Sequence, residues 1–412
     1  MKNYEGYKYI EGGVCAAKGY RANGLNCGLN PDKHKNDLCL VAADTDAVCA
    51  AVYTTNKVKG APITVTRAHL EKTGGICRAV IANSKNANTC NADGVEKAEK
   101  MCGAAAAALG LDADKVIVAS TGVIGQPLPI EPIITAAPKL AEGLSYDGNL
   151  RAATAIMTTD TVKKEVAVEF SLGGKNCRLG GMAKGSGMIC PNMATTLNFI
   201  TTDAAISRDM LQKALDEITK ITYNCLSVDG DTSTNDMVCV LADGLCENAE
   251  ITAHGADFDS FKQALYIVMS ELTKMLAKDG EGATKLIEVS VDGAPDTDCA
   301  ITVAKSVVGS SLLKCAIFGA DANWGRILCA IGYADAEFDI SLTDVDIASS
   351  NGCISVCRSG SGIEFSEEEA KNILLADEIY IKIRLNQGSA SAKAWGCDLT
   401  YDYVKINGDY RS

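Results

Sequence analysis

The sequence predicts a soluble protein of mixed α/β class. Three observations carry this. Short strand-like runs alternate with helix-like ones along all 412 residues. An apolar share of 47% against 22% charged residues is that of an ordinary globular core. Near its end, EIYIKIRL (378–385) alternates apolar and polar residues with period two.

In chain order, DLCLVAAD (37–44) and AVCAAVYTT (47–55) read as two strands around a short turn. Asp93, with Glu96 three residues on, reads as the capped start of a helix through Ala98, Met101 and Cys102. KVIVAS (115–120) is a short buried strand that ends in the loop TGVIGQPLP, and EVAVEFSL (165–172) is a further strand. Met210, Leu211, Ala214, Leu215 and Ile218 mark one face of a helix from Ser207 to Lys220. The longest helix runs from about Asp257 to Lys278, stops at Gly280, and is followed by Glu281 in DGEGATK. Beyond it, IEVSVDG, a helix opened by the Ser366/Glu369 capping box, and EIYIKIRL predict a separate mixed unit. At this length the chain has room for two or three structural units.

Composition excludes several functions. With 39 basic and 52 acidic residues the net charge is −13, and no basic run is present, which argues against nucleic acid. The start, MKNYEGYKYIEGG, lacks a signal-peptide core, and MCGAAAAALGL is about half a bilayer span, so the expected location is the cytoplasm, without a membrane partner. The 18 cysteines are scattered with no C-x-x-C pair, so they read as reduced, mostly buried apolar residues and no metal site is expected. His34, His69 and His254 sit in polar stretches and read as solvated surface residues. A covalent enzyme built from this chain therefore needs a base other than histidine.

One stretch offers a nucleophile: KGSGMICPNMATTLNFI (184–200), nearly uncharged in an acidic chain. A threonine hydroxyl is inert near neutrality until a base takes its proton. If the hydroxyl attacks the preceding carbonyl and water opens the resulting ester, the threonine becomes N-terminal. Its α-amine, with a reference pKa of about 7.7–8.0, is then a built-in base. Ala194 before Thr195 leaves that carbonyl accessible, although the adjacent Thr196 is equally a hydroxyl. The glycine-rich loops STGVIG (120–125) and DGEGATK (279–285) let backbone amides approach a ligand. Neither is a phosphate loop, and no dinucleotide fingerprint is present. From the residues alone, a broken loop and a catalytic threonine both remain open.

The wording of the segment extends along the chain. KGSGMICPNMATTLNFITTDA, GVCAAKGYRANGLNCG, VYTTNKVKGAP, VIANSKNANTC, VIVASTGVIGQPLP, AIMTTD, SVDGDTSTND, DGEGATKLIEV, FGADANWGRILCAIGYA and DLTYDYVKINGDYRS occur in this order. Together they resemble the ArgJ family of ornithine acetyltransferases, or glutamate N-acetyltransferases, over essentially the full length. The resemblance implies a layered αββα sandwich, ArgJ/DmpA-like, with a smaller C-terminal α+β portion from about 285–412. It implies self-cleavage between Ala194 and Thr195, giving an α chain of 1–194 and a β chain of 195–412, assembled as two of each. Thr195 would be the nucleophile, and Thr121 and Gly122 the oxyanion hole. Thr158, Lys184, Thr195, Glu281, Asn407 and Ser412 would bind substrate.

The implied reaction moves acetyl from N2-acetyl-L-ornithine to L-glutamate through an acetyl-Thr195 ester. No metal or cofactor is expected, with acetyl-CoA a possible co-substrate of a bifunctional enzyme. An N-terminal-nucleophile amidase, passing the acyl group to water, is the alternative from another class. Lys85 stands where the family pattern leads us to expect glycine, Thr196 where methionine is common, and Ser412 where threonine is frequent.

Overall fold

The computed structural model describes residues 3–190 and 196–408, and these fall into two compact units. Residues 3–185, 196–219 and 232–272 make the first; residues 186–190, 220–231 and 273–408 make the second.

The first unit is built on a nine-stranded sheet. Its strands are β1 (Lys8–Ile10), β2 (Tyr20–Leu25), β3 (Leu38–Tyr53), β4 (Ile76–Asn83), β5 (Val116–Ser120), β6 (Lys164–Leu172), β7 (Lys175–Lys184) and β8 (Leu197–Thr202). After the short β9 (Leu226–Ser227) of the second unit, β10 (Met237–Ala242) completes it. The order is β1-β6-β7-β8-β10-β3-β4-β5, with β2 paired to β3. Most pairings are antiparallel; β8 with β10 and β4 with β5 are parallel.

Helices α1 (Ala61–Lys72), α2 (Gly94–Leu109), α3 (Ile130–Glu142), α4 (Asn149–Ala155) and α5 (Arg208–Ile221) belong largely to this unit, where α6 (Ala256–Lys278) also opens. Residues of β3 alternate between two cores. Leu38, Leu40 and Ala42 join Ile81, Val118 and Met101, while Cys39, Val41 and Ala43 join Phe199, Met182 and Cys239. A sheet buried on both faces explains why its strands are apolar throughout. Truncating one of these buried leucines to alanine would cost about 2–5 kcal/mol.

Three expectations need correcting. The first two predicted strands are one 16-residue strand, β3, because β2 pairs with its first half and β10 with its second. The register on β4 shifts between Ala42 and Ala47, so the acidic stretch is an irregularity within one strand rather than a turn. Asp93 does precede α2 but makes no side-chain cap; its carboxylate pairs instead with Lys97, one turn on. His69 is buried, not solvated: one ring nitrogen faces the Val116 carbonyl at 2.7 Å and the other the Glu99 carboxylate at 3.0 Å.

The second unit holds a seven-stranded sheet in the order β14-β13-β12-β15-β11-β16-β9. Its further strands are β11 (Leu286–Ala294), β12 (Asp344–Ser349), β13 (Gly352–Arg358), β14 (Ser361–Gly362), β15 (Glu378–Arg384) and β16 (Ala390–Cys397). Helices α7 (Thr297–Val308), α8 (Ser311–Phe318), α9 (Trp324–Gly332), α10 (Glu367–Leu374) and α11 (Tyr401–Gly408) complete it. In β15, Ile379, Ile381 and Ile383 are all buried, as the period-two pattern requires. Ser366 caps α10 by accepting from the Glu369 amide. Among the described residues no single helix is long and apolar enough to cross a membrane. All eighteen cysteines are free and eleven are buried, in line with the reading of them as small apolar residues.

Candidate active site

Expected site residues lie in both units, and each group has its own geometry. In the first unit, the loop after β5 is shaped by close backbone packing. Gly122 adopts φ +134°, and a Cβ there would collide with the Lys85 carbonyl group, so only glycine fits. The Thr121 amide is already committed to the Asn83 carbonyl at 3.0 Å. Thr121 can therefore offer an incoming oxyanion its hydroxyl rather than its N–H. Lys184 Nζ donates to that hydroxyl oxygen at 3.2 Å, which leaves the hydroxyl proton available.

Behind the loop stands Asn235, whose sequence neighbourhood was quoted above without a role. Its amide nitrogen donates to the Ala87 and Ser120 carbonyls at 2.5 and 3.0 Å, and its oxygen accepts from the Thr89 and Thr234 hydroxyls. Lys85, next to Gly122, is exposed with φ 74°. A β-carbon thus occupies the left-handed region that explains the expectation of glycine there.

Thr158 and Lys184 are tied together through a residue that the sequence reading passed over. Asp160 accepts from the Thr158 amide at 3.0 Å, from the Gly185 amide at 2.7 Å and from Lys164 Nζ at 2.7 Å. The side chains of Asp160 and Lys164 are fully shielded from solvent. Burial pushes the Asp160 carboxyl up, but the charges of Lys184 and Lys164 and the amide donors win and hold it at about 2. Asp236, at the entry to β10, is buried too, and one of its carboxylate oxygens has no hydrogen-bond partner among the described residues. Its burial drives its pKa well above the usual carboxylate range, against the Ser233 hydrogen bonds and the Lys184 charge. Lys184 thus has two buried acids within electrostatic reach, one with its pKa held down and one with its pKa pushed up.

Ala194 and Thr195 lie outside the described residues, as does Ser412. Thr196 is described, and it bears on the choice between the two adjacent threonines. It is buried, its carbonyl accepts from the Met237 amide at 3.0 Å, and its hydroxyl accepts from the Asn198 side-chain amide. A threonine held in this way at the entrance to β8 is poorly placed to act as a nucleophile.

In the second unit, Glu281 and Asn407 come together. The Asn407 side-chain amide donates to the Glu281 carboxylate at 2.8 Å, from an α11 that buries none of its residues. Glu281 is 7% exposed, its own amide donates to the Ser186 carbonyl at 2.9 Å, and its carboxylate fills the space where a side chain on Gly187 would have to go. Asp229 accepts from the Met188 and Ile189 amides at 2.7 and 2.9 Å, which fixes this end of the 184–190 stretch. A buried carboxylate whose side-chain donor is the neutral Asn407 amide is a fitting seat for an ammonium group.

One further cluster of donor atoms exists among the described residues. Cys177, Asp203 and Cys246, all buried, place one donor atom each within 4.8 Å of one another. The Asp203 carboxylate is already satisfied by the Lys18 and Arg178 amides and the Cys177 thiol, so the trio needs no cation to explain it.

Comparison with known proteins decides the family. The ArgJ family description matches residues 21–412. The chain belongs to the ArgJ family. The "arginine biosynthesis bifunctional protein ArgJ 1" of Clostridium acetobutylicum is 49% identical over 394 residues, 95% of this chain and 96% of that protein. A crystal structure of the "arginine biosynthesis bifunctional protein argJ" of Bacillus halodurans is similar to 51% of this chain and 97% of its own, at 51% identity and a TM-score of 0.49. The ornithine acetyltransferase of Mycobacterium tuberculosis, solved with ornithine, is similar to 46% of this chain and 100% of its own, at 36% identity and a TM-score of 0.42. This ArgJ chain therefore resembles ArgJ proteins along nearly its whole length in sequence.

Proposed function

We propose that this member of the ArgJ family, an acyltransferase, serves arginine biosynthesis by moving the acetyl group of N2-acetyl-L-ornithine to L-glutamate with Thr195 as nucleophile. The observation that carries the reading is the contact of Lys184 with the Thr121 hydroxyl beside Gly122, in a chain of this family. A cation, a hydroxyl donor and a glycine-only backbone meet at the position from which an oxyanion would be stabilised.

In this reading the Thr195 hydroxyl first attacks the Ala194 carbonyl. The peptide nitrogen leaves as the free α-amine of Thr195, and water hydrolyses the resulting ester, which parts the two chains and restores the Thr195 hydroxyl. That amine then takes the hydroxyl proton as Thr195 attacks the acetyl carbonyl of the donor, and the oxyanion faces Thr121 and Gly122. Collapse expels ornithine, which takes the proton back from the α-ammonium. The amino group of glutamate attacks the acetyl-Thr195 ester and regenerates the enzyme. Lys184 and Thr158 suit the substrate carboxylate, and Glu281 with Asn407 suits the second amino group of ornithine. Ser412 and the assembly of two α and two β chains belong to the same proposal.

A second version is favoured by the word "bifunctional" in the names of the relatives: acetyl-CoA also acylates Thr195. Purified protein with glutamate and acetyl-CoA yields acetylglutamate in that version, and none above blank rules it out. The main reading is tested with acetylornithine. Beyond the one ornithine per active site released as acetyl-Thr195 forms, ornithine release should require glutamate and give one acetylglutamate each; equally fast continued release without glutamate would make the enzyme an amidase instead.

A further inference from the structure

Two segments that the proposed reaction needs, together with a buried lysine, converge on one side chain to which that reaction gives no role. Asp160 closes the turn that carries Thr158, and it bonds the Gly185 amide that follows Lys184 at the end of β7. It does so from a position with no solvent access, shared with Lys164, whose ammonium also donates to the Val162 carbonyl at 3.3 Å. A buried carboxylate with a buried ammonium partner is expensive unless each lone pair is used, and here three donors use them.

Around Asp160 lie two ammonium groups, Lys164 and Lys184, both buried. Lys164 donates to Asp160 directly, and Lys184 donates to the Thr121 hydroxyl. Asp160 and Asp236 lie within electrostatic reach of Lys184, and burial pushes the Asp236 carboxyl up. An ammonium 8% exposed gives up its proton readily when no anion stands near it.

We propose that Asp160 is the positioning residue of this site. It bridges the Thr158 and Gly185 amides and faces Lys164 and Lys184, so that Lys184 is presented, charged and fixed in place, to the carboxylate of an amino-acid substrate. The proposal rests on the acetyl-transfer reading above, and it adds a residue that touches no reacting atom.

The test compares Asp160→Asn with Lys164→Met in the processed, full-length enzyme. Asp160→Asn keeps the shape and removes the charge. KM for acetylornithine should rise about tenfold or more, while kcat stays within about threefold. The defect should shrink as the pH is lowered from alkaline to neutral, because Lys184 regains its proton. Lys164→Met should lower thermal stability and leave KM within about twofold, since Asp160 still faces Lys184 and both amides. An unchanged KM in a folded Asp160→Asn enzyme would overturn the proposal, as would equal KM defects in the two variants, which would mark the pair as structural only. Should Asp160→Asn fail to fold, the Asp160→Asn/Lys164→Met double variant removes the unpaired buried charge and carries the same KM and pH readout. Wild-type protein that transfers no acetyl group at all would instead count against the underlying reading.

Discussion

Lys184 and Glu281, the two charged residues expected to grip substrate, are held in different ways. Lys184 ends a central strand, and the charges and amides around it converge on Asp160, a side chain with no solvent access. Glu281 sits in a short loop against Ser186 and Gly187, and its side-chain partner Asn407 comes from a helix with no buried residue. The contrast teaches where precision is stored. The cation is pre-set by a buried network whose parts cannot move singly. The anion is tight at its backbone but borrows its outer partner from an element that packs weakly, so its grip on a ligand has more freedom.

Breaking the comparison begins with the nucleophile. Replacing Thr195 with alanine should remove chain cleavage and transfer together, and a variant that still cleaves would move the nucleophile to Thr196. Next in size, Glu281→Gln keeps the bond from Asn407 but removes the charge. It should raise KM for acetylornithine by about ten- to a hundredfold, as for the loss of a charged hydrogen bond. Asn407→Ala should cost less, about fivefold, because the Glu281 charge stays in place and only a donor from a helix with no buried residue is lost. Steady-state kinetics on the three variants checks this order, and a larger loss for Asn407→Ala than for Glu281→Gln would reverse the comparison.

The buried network also has a pH signature. Asp160 is depressed from about 3.8 to about 2, so its contribution is complete above the unfolded value and is lost as the pH falls towards 2. The size is roughly 2 kcal/mol, and acid unfolding of Asp160→Asn should lack that limb. Asp243 runs the other way. Burial lifts it to about 7, so its ionisation destabilises the fold increasingly as the pH rises from about 4 through about 7. Asp243→Asn should raise the melting temperature by a few degrees at pH 8 and leave it unchanged below pH 4, the smallest of these effects.

Much of this architecture can be read from the sequence because it rests on local periodicity. The α5 face from Met210 to Ile218 and the alternation of β15 are set by neighbours three, four or two residues apart. What escapes is non-local. Asp44 and Asp46 look like a turn until Arg21, Tyr146 and Lys115 reach them from distant segments and β3 runs straight through. His69 looks solvated because its flanks are polar, yet the Val116 carbonyl that receives its ring lies 47 residues away. Asp160 carries no signature of its own within AIMTTD; its role appears only when Gly185, 25 residues on, folds back to it. The glycine at 122 was legible as a loop signal, whereas the Lys85 backbone pressing on it was not.

The central claim concerns one bond and one hydroxyl, and intact-mass spectrometry tests both at once. Purified protein, incubated with acetylornithine and quenched in acid before glutamate is added, should give two chains that part between Ala194 and Thr195. The chain beginning at Thr195 should be heavier by one acetyl group, and a parallel sample given glutamate before the quench should have lost it. A single 43.1 kDa chain that is active and carries no acetyl group would contradict the account.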